Sequence, residues 1–212
     1  MKKILAVLLA TSSVAVFADT FQDFNNNLYA QYTYLNSTYS SNNTMNADTS
    51  STANGYGIGG TFQSKDDVWA NVSINNYKAA HNAQNTTTIT NVKAGYAFQF
   101  FGDDDSGFQV IPYASFGAVD NQSSYSWGVG VQPEYRLMSS LKVALGLGLQ
   151  GMDGKNDKGN DTTVMAFNVN PEVQYDIAKT IMLSVGYNYG TTFNGNNSEA
   201  TNAVTAKVGY LF

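Results

Sequence analysis

The 212-residue sequence predicts an all-β fold, a transmembrane antiparallel up-and-down β-barrel of about ten strands, with eight or twelve strands as alternatives. Three observations favour this fold class. Apolar residues recur at every second position through most of the chain, as they do in strands with two different faces. Only 13% of the residues are charged, which is about half the roughly 25% of a soluble domain. The charges that fall inside the alternating segments all lie on one face.

The first 18 residues have the pattern of a secretory signal peptide. A basic start is followed by an apolar stretch over 4–16 and a small-x-small site that ends at Ala18. We expect cleavage after Ala18, so that residues 1–18 are the signal peptide and residues 19–212 the barrel domain. The rest of the chain has no run of about 20 apolar residues, the length that a spanning helix needs.

Ten alternating segments are predicted as strands. They are 27–35, 54–63, 68–77, 87–100, 108–119, 124–137, 141–150, 162–177, 181–190 and 201–212. Most are close to the roughly 9–11 residues of a tilted membrane-spanning strand. Long polar loops are expected at 36–53, 78–86, 120–123, 151–161 and 191–200, and shorter turns at 64–67, 101–107, 138–140 and 178–180. Short periplasmic turns and longer outer loops are typical of outer-membrane barrels, and an even strand number places both termini in the periplasm.

Seven charged residues lie inside these segments, on the face that also carries Gly, Asn and Gln. They are Lys93, Glu134, Arg136, Lys142, Glu172, Asp176 and Lys207. A soluble sandwich would turn its charges to water and its leucines inward, but here the charged face is crowded with glycines. Small residues suit the inside of a narrow barrel, where side chains from several strands share the space. The charged face is therefore predicted to line a lumen and the apolar face to contact lipid.

Two groups of residues have a predicted place in this barrel. Three prolines interrupt the strands, and a bulge is expected at each, because proline has no amide hydrogen for the ladder. They are Pro112, Pro133 and Pro171. Aromatic residues near strand ends are expected to form the lipid-facing girdle, namely Tyr29, Tyr77, Tyr125, Trp127, Tyr187 and Tyr189.

Composition and motifs argue against several function classes. The absence of cysteine excludes disulfides, thiolate metal sites and cysteine nucleophiles, and a pI near 4.6 disfavours nucleic acid as a partner. The one histidine, His81, has neither an aspartate two residues before it nor a serine at position 83, so no acid–base or triad constellation is found. The loop 153–161 has lysines where a calcium loop needs a ligand and a glycine. We therefore expect no catalytic residues, no metal and no cofactor.

The end of the chain carries the most specific motif. Val204, Ala206, Val208, Tyr210 and Phe212 alternate up to a terminal phenylalanine. With the signal peptide, this end resembles the C-terminal strand of small bacterial outer-membrane barrels of the OmpA, OmpX, OmpW and opacity-type group. The resemblance implies that the barrel-assembly machinery reads Val208, Tyr210 and Phe212. It also implies export through the secretion translocon to the outer membrane, with lipid and lipopolysaccharide as partners.

These features predict a monomeric, non-enzymatic outer-membrane barrel whose outer loops, especially 36–53, contact the environment. The alternative is a narrow porin-like channel for small solutes. Its lining would be Lys93, Glu134, Arg136, Lys142, Glu172 and Lys207. The two hypotheses differ in whether the lumen charges form an ion-paired core that blocks conduction or line an open pore.

Overall fold

The computed structural model describes residues 21–41, 49–80, 86–102, 106–120, 124–155, 161–194 and 197–212. These residues form one antiparallel sheet that closes into a barrel. Its strands are β1 (Asn27–Ser41), β2 (Thr49–Gln63), β3 (Val68–Ala79), β4 (Thr86–Tyr96), β5 (Phe98–Gly102), β6 (Gly107–Val119), β7 (Ser124–Met138), β8 (Leu141–Lys155), β9 (Asp161–Ile177), β10 (Ile181–Asn194) and β11 (Asn197–Leu211). Because β4 and β5 are consecutive and both pair with β6, they are two halves of one strand. The described residues therefore form a ten-stranded barrel, which confirms the predicted fold class.

Closure of the sheet brings the first and last strands together. β1 pairs with β2 on one side and with β11 on the other, so that Asn27 lies opposite Leu211. The backbone amide of Phe212 donates to the carbonyl of Asn26 at 3.0 Å. We call this end of the barrel the terminal end and the opposite end the loop end. A closed sheet has no unpaired edge, which lipid could not supply with hydrogen-bond partners.

The two faces of the sheet differ as the alternation predicts. Aliphatic and aromatic side chains are exposed on the outside, for example Val129, Leu149, Val173, Val185, Val208 and Tyr210. Polar and charged side chains are buried inside, for example Gln63, Gln109, Glu134, Arg136, Lys142 and Asp176. An apolar exterior around a polar interior is the arrangement of a transmembrane barrel.

The strands extend farther toward the loop end than the sequence predicts. Of the predicted loops 36–53, 151–161 and 191–200, residues 36–41, 49–53, 151–155, 161, 191–194 and 197–200 belong to strands. Outside the apolar band, strand pairing needs no alternation, because the backbone hydrogen bonds are independent of side-chain type. The hydroxyls of Ser37 and Thr201, for example, lie 3.1 Å apart across β1 and β11.

The predicted fourth segment, 87–100, is interrupted at Ala97. The amide of this buried residue donates to the carbonyl of Asp67 at 2.8 Å, in the turn between β2 and β3. The pairing of β4 with β6 ends at Gly95. Pro112 lies next to this break on β6 and has no amide hydrogen to donate, which explains why the ladder stops there.

The predicted bulges at the prolines are wrong. β7 and β8 keep one register across Pro133, and β9 and β10 keep one register across Pro171. The missing amide hydrogen interrupts the ladder without the insertion of an extra residue. Register shifts occur instead between Gln99 and Phe101 and between Arg136 and Met138, near strand ends at the terminal end.

Two of the six residues predicted for the aromatic girdle point inward instead. Tyr29 is 7% exposed, and Tyr77 lines the interior cavity. The other four are exposed, namely Tyr125, Trp127, Tyr187 and Tyr189. Tyrosine occurs on both faces of β1, so the residue type alone does not identify its face.

One turn of helix, α1 (Gln22–Asn25), precedes β1. In the ranges that the structure describes, no helix is both long enough and apolar enough to cross a membrane.

A charge on the outer face should destabilise the barrel according to its depth. We expect Val185→Arg, halfway along the apolar part of β10, to lower the free energy of unfolding by about 2–4 kcal/mol. The control Phe193→Arg, on the same exposed face near the loop end, should lower it by only about 0–1 kcal/mol. Urea unfolding in lipid vesicles, followed by tryptophan fluorescence, measures both. Equal effects would contradict a lipid-facing exterior.

Candidate functional site

The segment before β1 lies inside the barrel at the terminal end. Phe21, Gln22, Phe24 and Asn25 are each at most 1% exposed. The side-chain amide of Gln22 donates to the carbonyl of Ser64 at 3.1 Å, in the turn after β2. We call residues 21–26 the plug.

Asn25 joins the plug to three strands of the barrel wall. Its amide nitrogen donates to Gln63 on β2 at 2.8 Å and to Glu134 on β7 at 2.9 Å. Its carbonyl oxygen accepts a hydrogen bond from the ammonium of Lys142 on β8 at 2.5 Å. Both functional groups of this side-chain amide are therefore bonded to the wall.

Glu134 is a buried charge with several hydrogen-bond partners in the lumen. Its carboxylate is 1% exposed and accepts hydrogen bonds from Gln109 at 2.7 Å and Gln132 at 2.8 Å, as well as from Asn25. The ammonium of Lys142 lies 3.3 Å away and supplies the opposite charge. A buried carboxylate needs such partners, because an unpaired one would lose its hydration without compensation.

The ring of Phe24 packs under two cations. The guanidinium of Arg136 lies 5.2 Å and the ammonium of Lys142 lies 5.8 Å from the ring centroid, which is the range of cation–π attraction. The carbonyl of Phe24 accepts hydrogen bonds from Asn27 and from Gln174 on β9. Phe24 thus anchors the plug through both its ring and its backbone.

A second group of charges lies nearer the loop end. The ammonium of Lys207 donates to Glu172 at 2.6 Å, and the hydroxyl of Ser184 donates to the same carboxylate at 2.6 Å. The ring of Tyr29 lies 5.0 Å from the Lys207 ammonium. On the opposite wall, the ammonium of Lys93 lies 5.0 Å from the ring of Tyr113.

A cavity of about 620 Å³ runs along the lumen from the plug towards the loop end. Asn25 and Lys142 line it at the terminal end, and Thr192 and Glu199 line it where β10 and β11 approach their hairpin. Most of the other lining side chains are amides, hydroxyls and tyrosines. The amides and hydroxyls of this wall can form hydrogen bonds with a polar solute.

The seven charged residues that the sequence analysis selected form two tiers. The terminal tier surrounds the plug and consists of Glu134, Arg136, Lys142 and Asp176. The middle tier consists of Lys93, Glu172 and Lys207. Their roles in function stay a prediction, as does the assembly role of Val208, Tyr210 and Phe212, of which Val208 and Tyr210 face outward on β11.

Sequence reasoning missed the plug and its uncharged partners. Residues 21–26 show neither alternation nor a helical repeat of useful length, so the periodicity contains no signal for them. The inward glutamines at positions 63 and 109 looked like any polar lumen residue. A buried carboxylate needs several hydrogen-bond donors. That need, at Glu134, was the only signal in the sequence for further polar partners.

Among the described residues, no group of three or more histidine, aspartate or glutamate side chains is placed to hold a metal ion. His81 and Asp103 to Asp105 lie outside the described residues, as does the central part of the loop 153–161.

Several solved structures are similar to the barrel. The NanC porin matches with a TM-score of 0.53 at 11% identity, over 85% of this chain and 100% of that chain. Ail, the attachment invasion locus protein of Yersinia pestis, matches with a TM-score of 0.36 at 10% identity, over 89% and 99% of the two chains. The outer membrane protease OmpT from Escherichia coli matches with a TM-score of 0.45 at 6% identity, over 93% and 99%.

At 11% identity, the likeness to the NanC porin shows the fold, which is that of an outer-membrane β-barrel. The other two matches have TM-scores below 0.5 and support no conclusion. No family model matches the sequence, and no curated protein matches it.

The plug and Glu134 should be energetically coupled. In a double-mutant cycle of Asn25→Ala and Glu134→Gln, we expect the two effects on the free energy of unfolding to be non-additive by about 0.5–3 kcal/mol, because the side chains share a hydrogen bond. As a control, Asn25→Ala combined with the lipid-facing Val129→Ala should be additive within about 0.3–0.5 kcal/mol. Urea unfolding in vesicles gives these values, and an additive Asn25–Glu134 cycle would mean that the plug is not docked.

Proposed function

We propose that this protein is a non-enzymatic barrel of the bacterial outer membrane that does not conduct in its resting state and contacts the environment through its loop end. The observation that carries the proposal is the plug. Its fully buried residues occupy the lumen at the terminal end, which faces the periplasm in this orientation. An ion that crossed the barrel would have to displace hydrogen-bonded, ion-paired groups.

The bonding of the terminal tier supports a stable closure. Asn25 donates a hydrogen bond to Glu134 and accepts one from Lys142. The charges of Glu134 and Lys142 neutralise each other. Opening the lumen would leave the Glu134 carboxylate without the Asn25 hydrogen bond and expose Phe24. A buried polar group that loses its hydrogen-bond partner typically costs about 1–3 kcal/mol, and more if it is charged, so spontaneous displacement of the plug should be rare.

The length of the strands supports a function at the loop end. β1, β2, β7, β8 and β11 each have 15 residues, and β9 has 17. Since roughly 9–11 residues suffice to cross the membrane, a paired wall extends beyond the apolar band. This wall would hold the outer loops away from the lipid surface, where they can meet other molecules.

The second candidate is a narrow channel for small solutes. The cavity of about 620 Å³ favours it, since displacement of the plug alone would join this space to the periplasm. In that function the two tiers of lumen charges would set the ion selectivity.

Single-channel conductance in a planar bilayer distinguishes the two candidates. We expect the refolded wild type to be silent, because the plug blocks the lumen. The double variant Phe24→Ala/Asn25→Ala should give openings, because it removes the ring under Arg136 and Lys142 and the hydrogen bonds to Glu134. The matched control Val129→Ala, on the lipid face, should stay silent.

Insertion is verified for every variant by heat-modifiable migration in gels. Steady openings of the wild type, with a selectivity that changes when Arg136 or Glu134 is neutralised, would refute the closed barrel and establish the channel.

A further inference from the structure

Two tyrosine rings lie against opposite parts of the lumen wall, and each has a glycine on both sides. Tyr29 on β1 lies between Gly59 on β2 and Gly209 on β11. A Cβ atom at Gly59 would be 2.6 Å from the Tyr29 ring. Gly59 therefore makes room for the Tyr29 ring.

Tyr113 on β6 repeats this arrangement. Its neighbours are Gly95 on β4 and Gly130 on β7, and a Cβ atom at Gly130 would lie 2.5 Å from the Tyr113 hydroxyl. We call each tyrosine with its two glycines a tyrosine cradle.

Each cradle holds a lysine ammonium, but only one of the two is neutralised. Lys207 lies 5.0 Å from the Tyr29 ring and donates to the Glu172 carboxylate at 2.6 Å. Lys93 lies 5.0 Å from the Tyr113 ring. Within the part of the chain that the structure describes, the Lys93 ammonium has no hydrogen bond and no carboxylate within 4.0 Å. The second cradle therefore lacks the counterpart of Glu172.

The surroundings of Lys93 favour an anion. The middle tier carries two positive charges, on Lys93 and Lys207, and one negative charge, on Glu172. Glu134, another carboxylate of the lumen, is already paired with Lys142.

The space around Lys93 can hold a small molecule. Lys93 lines both the main cavity of about 620 Å³ and an adjoining recess of about 130 Å³. The first volume lies within the roughly 300–1,000 Å³ of small-molecule sites. Amides that can donate to and accept from hydroxyl groups line both spaces, namely Asn91, Gln150, Asn168, Asn170 and Asn188.

We propose that the lumen binds a small hydroxylated carboxylate at the Lys93–Tyr113 cradle, reached from the loop end. The ligand carboxylate takes the place that Glu172 has in the Lys207–Tyr29 cradle, and the surrounding amides bond its hydroxyls. This binding site does not depend on whether the lumen conducts, since the plug lies on the other side of the middle tier.

Gluconate and sorbitol are suitable probes, since they share a hydroxylated chain and differ in the carboxylate. The chain has two tryptophans. Trp69 lies 6.1 Å from the Tyr113 ring, whereas Trp127 is exposed on the outer face. In a Trp127→Phe background, the remaining fluorescence reports on the cradle. The full chain is refolded in detergent, and its folding is verified by heat-modifiable migration.

We expect saturable fluorescence changes with gluconate and none with sorbitol. Lys93→Gln should weaken gluconate binding about 10-fold or more, because it removes the charge that the carboxylate contacts. Lys93→Arg, which keeps the charge, should bind within a few-fold of the wild type. The matched control Lys78→Gln, which removes an exposed lysine near the loop end of β3, should leave binding unchanged.

Three results would overturn the proposal. They are equal affinity of Lys93→Gln and the wild type, equal affinity for sorbitol and gluconate, and a wild type without saturable gluconate binding in the millimolar range. A conducting wild type in a planar bilayer would refute the closed barrel but not this site.

Discussion

The structure depends on one constraint, which is that charges enclosed in a narrow barrel must be neutralised by other groups inside it. Lipid requires the sheet to close, because an open edge would leave backbone groups without partners. Closure at ten strands gives a narrow lumen in which several inward charges are buried. The Glu134 carboxylate is only 1% exposed and accepts hydrogen bonds from the side chains of Asn25, Gln109, Gln132 and Lys142.

The plug follows from this constraint. The barrel wall alone gives Glu134 a cation and two glutamines, but Asn25 adds a donor to Glu134 and an acceptor to Lys142 with a single side chain. Phe24 covers the two cations of the terminal tier with an aromatic face. The same residues that complete the bonding of the charges therefore fill the lumen, so neutralisation and closure have one structural cause.

The middle tier satisfies the constraint only in part. Lys207 has Glu172, whereas Lys93 has the electron-rich face of Tyr113. A ring face attracts a cation less strongly than a carboxylate does in a desolvated site. The two cradles are otherwise similar, since Gly59 makes room for the Tyr29 ring as Gly130 does for the Tyr113 ring. The missing carboxylate is therefore what distinguishes the Lys93 site.

The alternation of apolar and polar residues was enough to predict the ten strands. It also predicted that Lys142 points inward and Val185 outward, because successive side chains of a strand point to opposite faces of the sheet, with a period of two residues. It failed where that period carries no information. Ser37 and Glu199 belong to strands beyond the apolar band, and Tyr29 faces inward although tyrosine also faces lipid on the same strand. The plug could not be found this way, since a single helical turn has no measurable period and its contacts with Glu134 join residues 109 positions apart.

The most direct test of the account is the accessibility of a single cysteine in the plug, since the natural chain has none. Gln22→Cys in the barrel inserted in lipid vesicles should react with a bulky maleimide far more slowly than Ser139→Cys, which lies exposed in the turn between β7 and β8. The difference should disappear when urea unfolds the protein. Equally rapid labelling of both cysteines in the folded barrel would show that the segment before β1 lies outside the lumen, and the account of a closed terminal end would then be wrong.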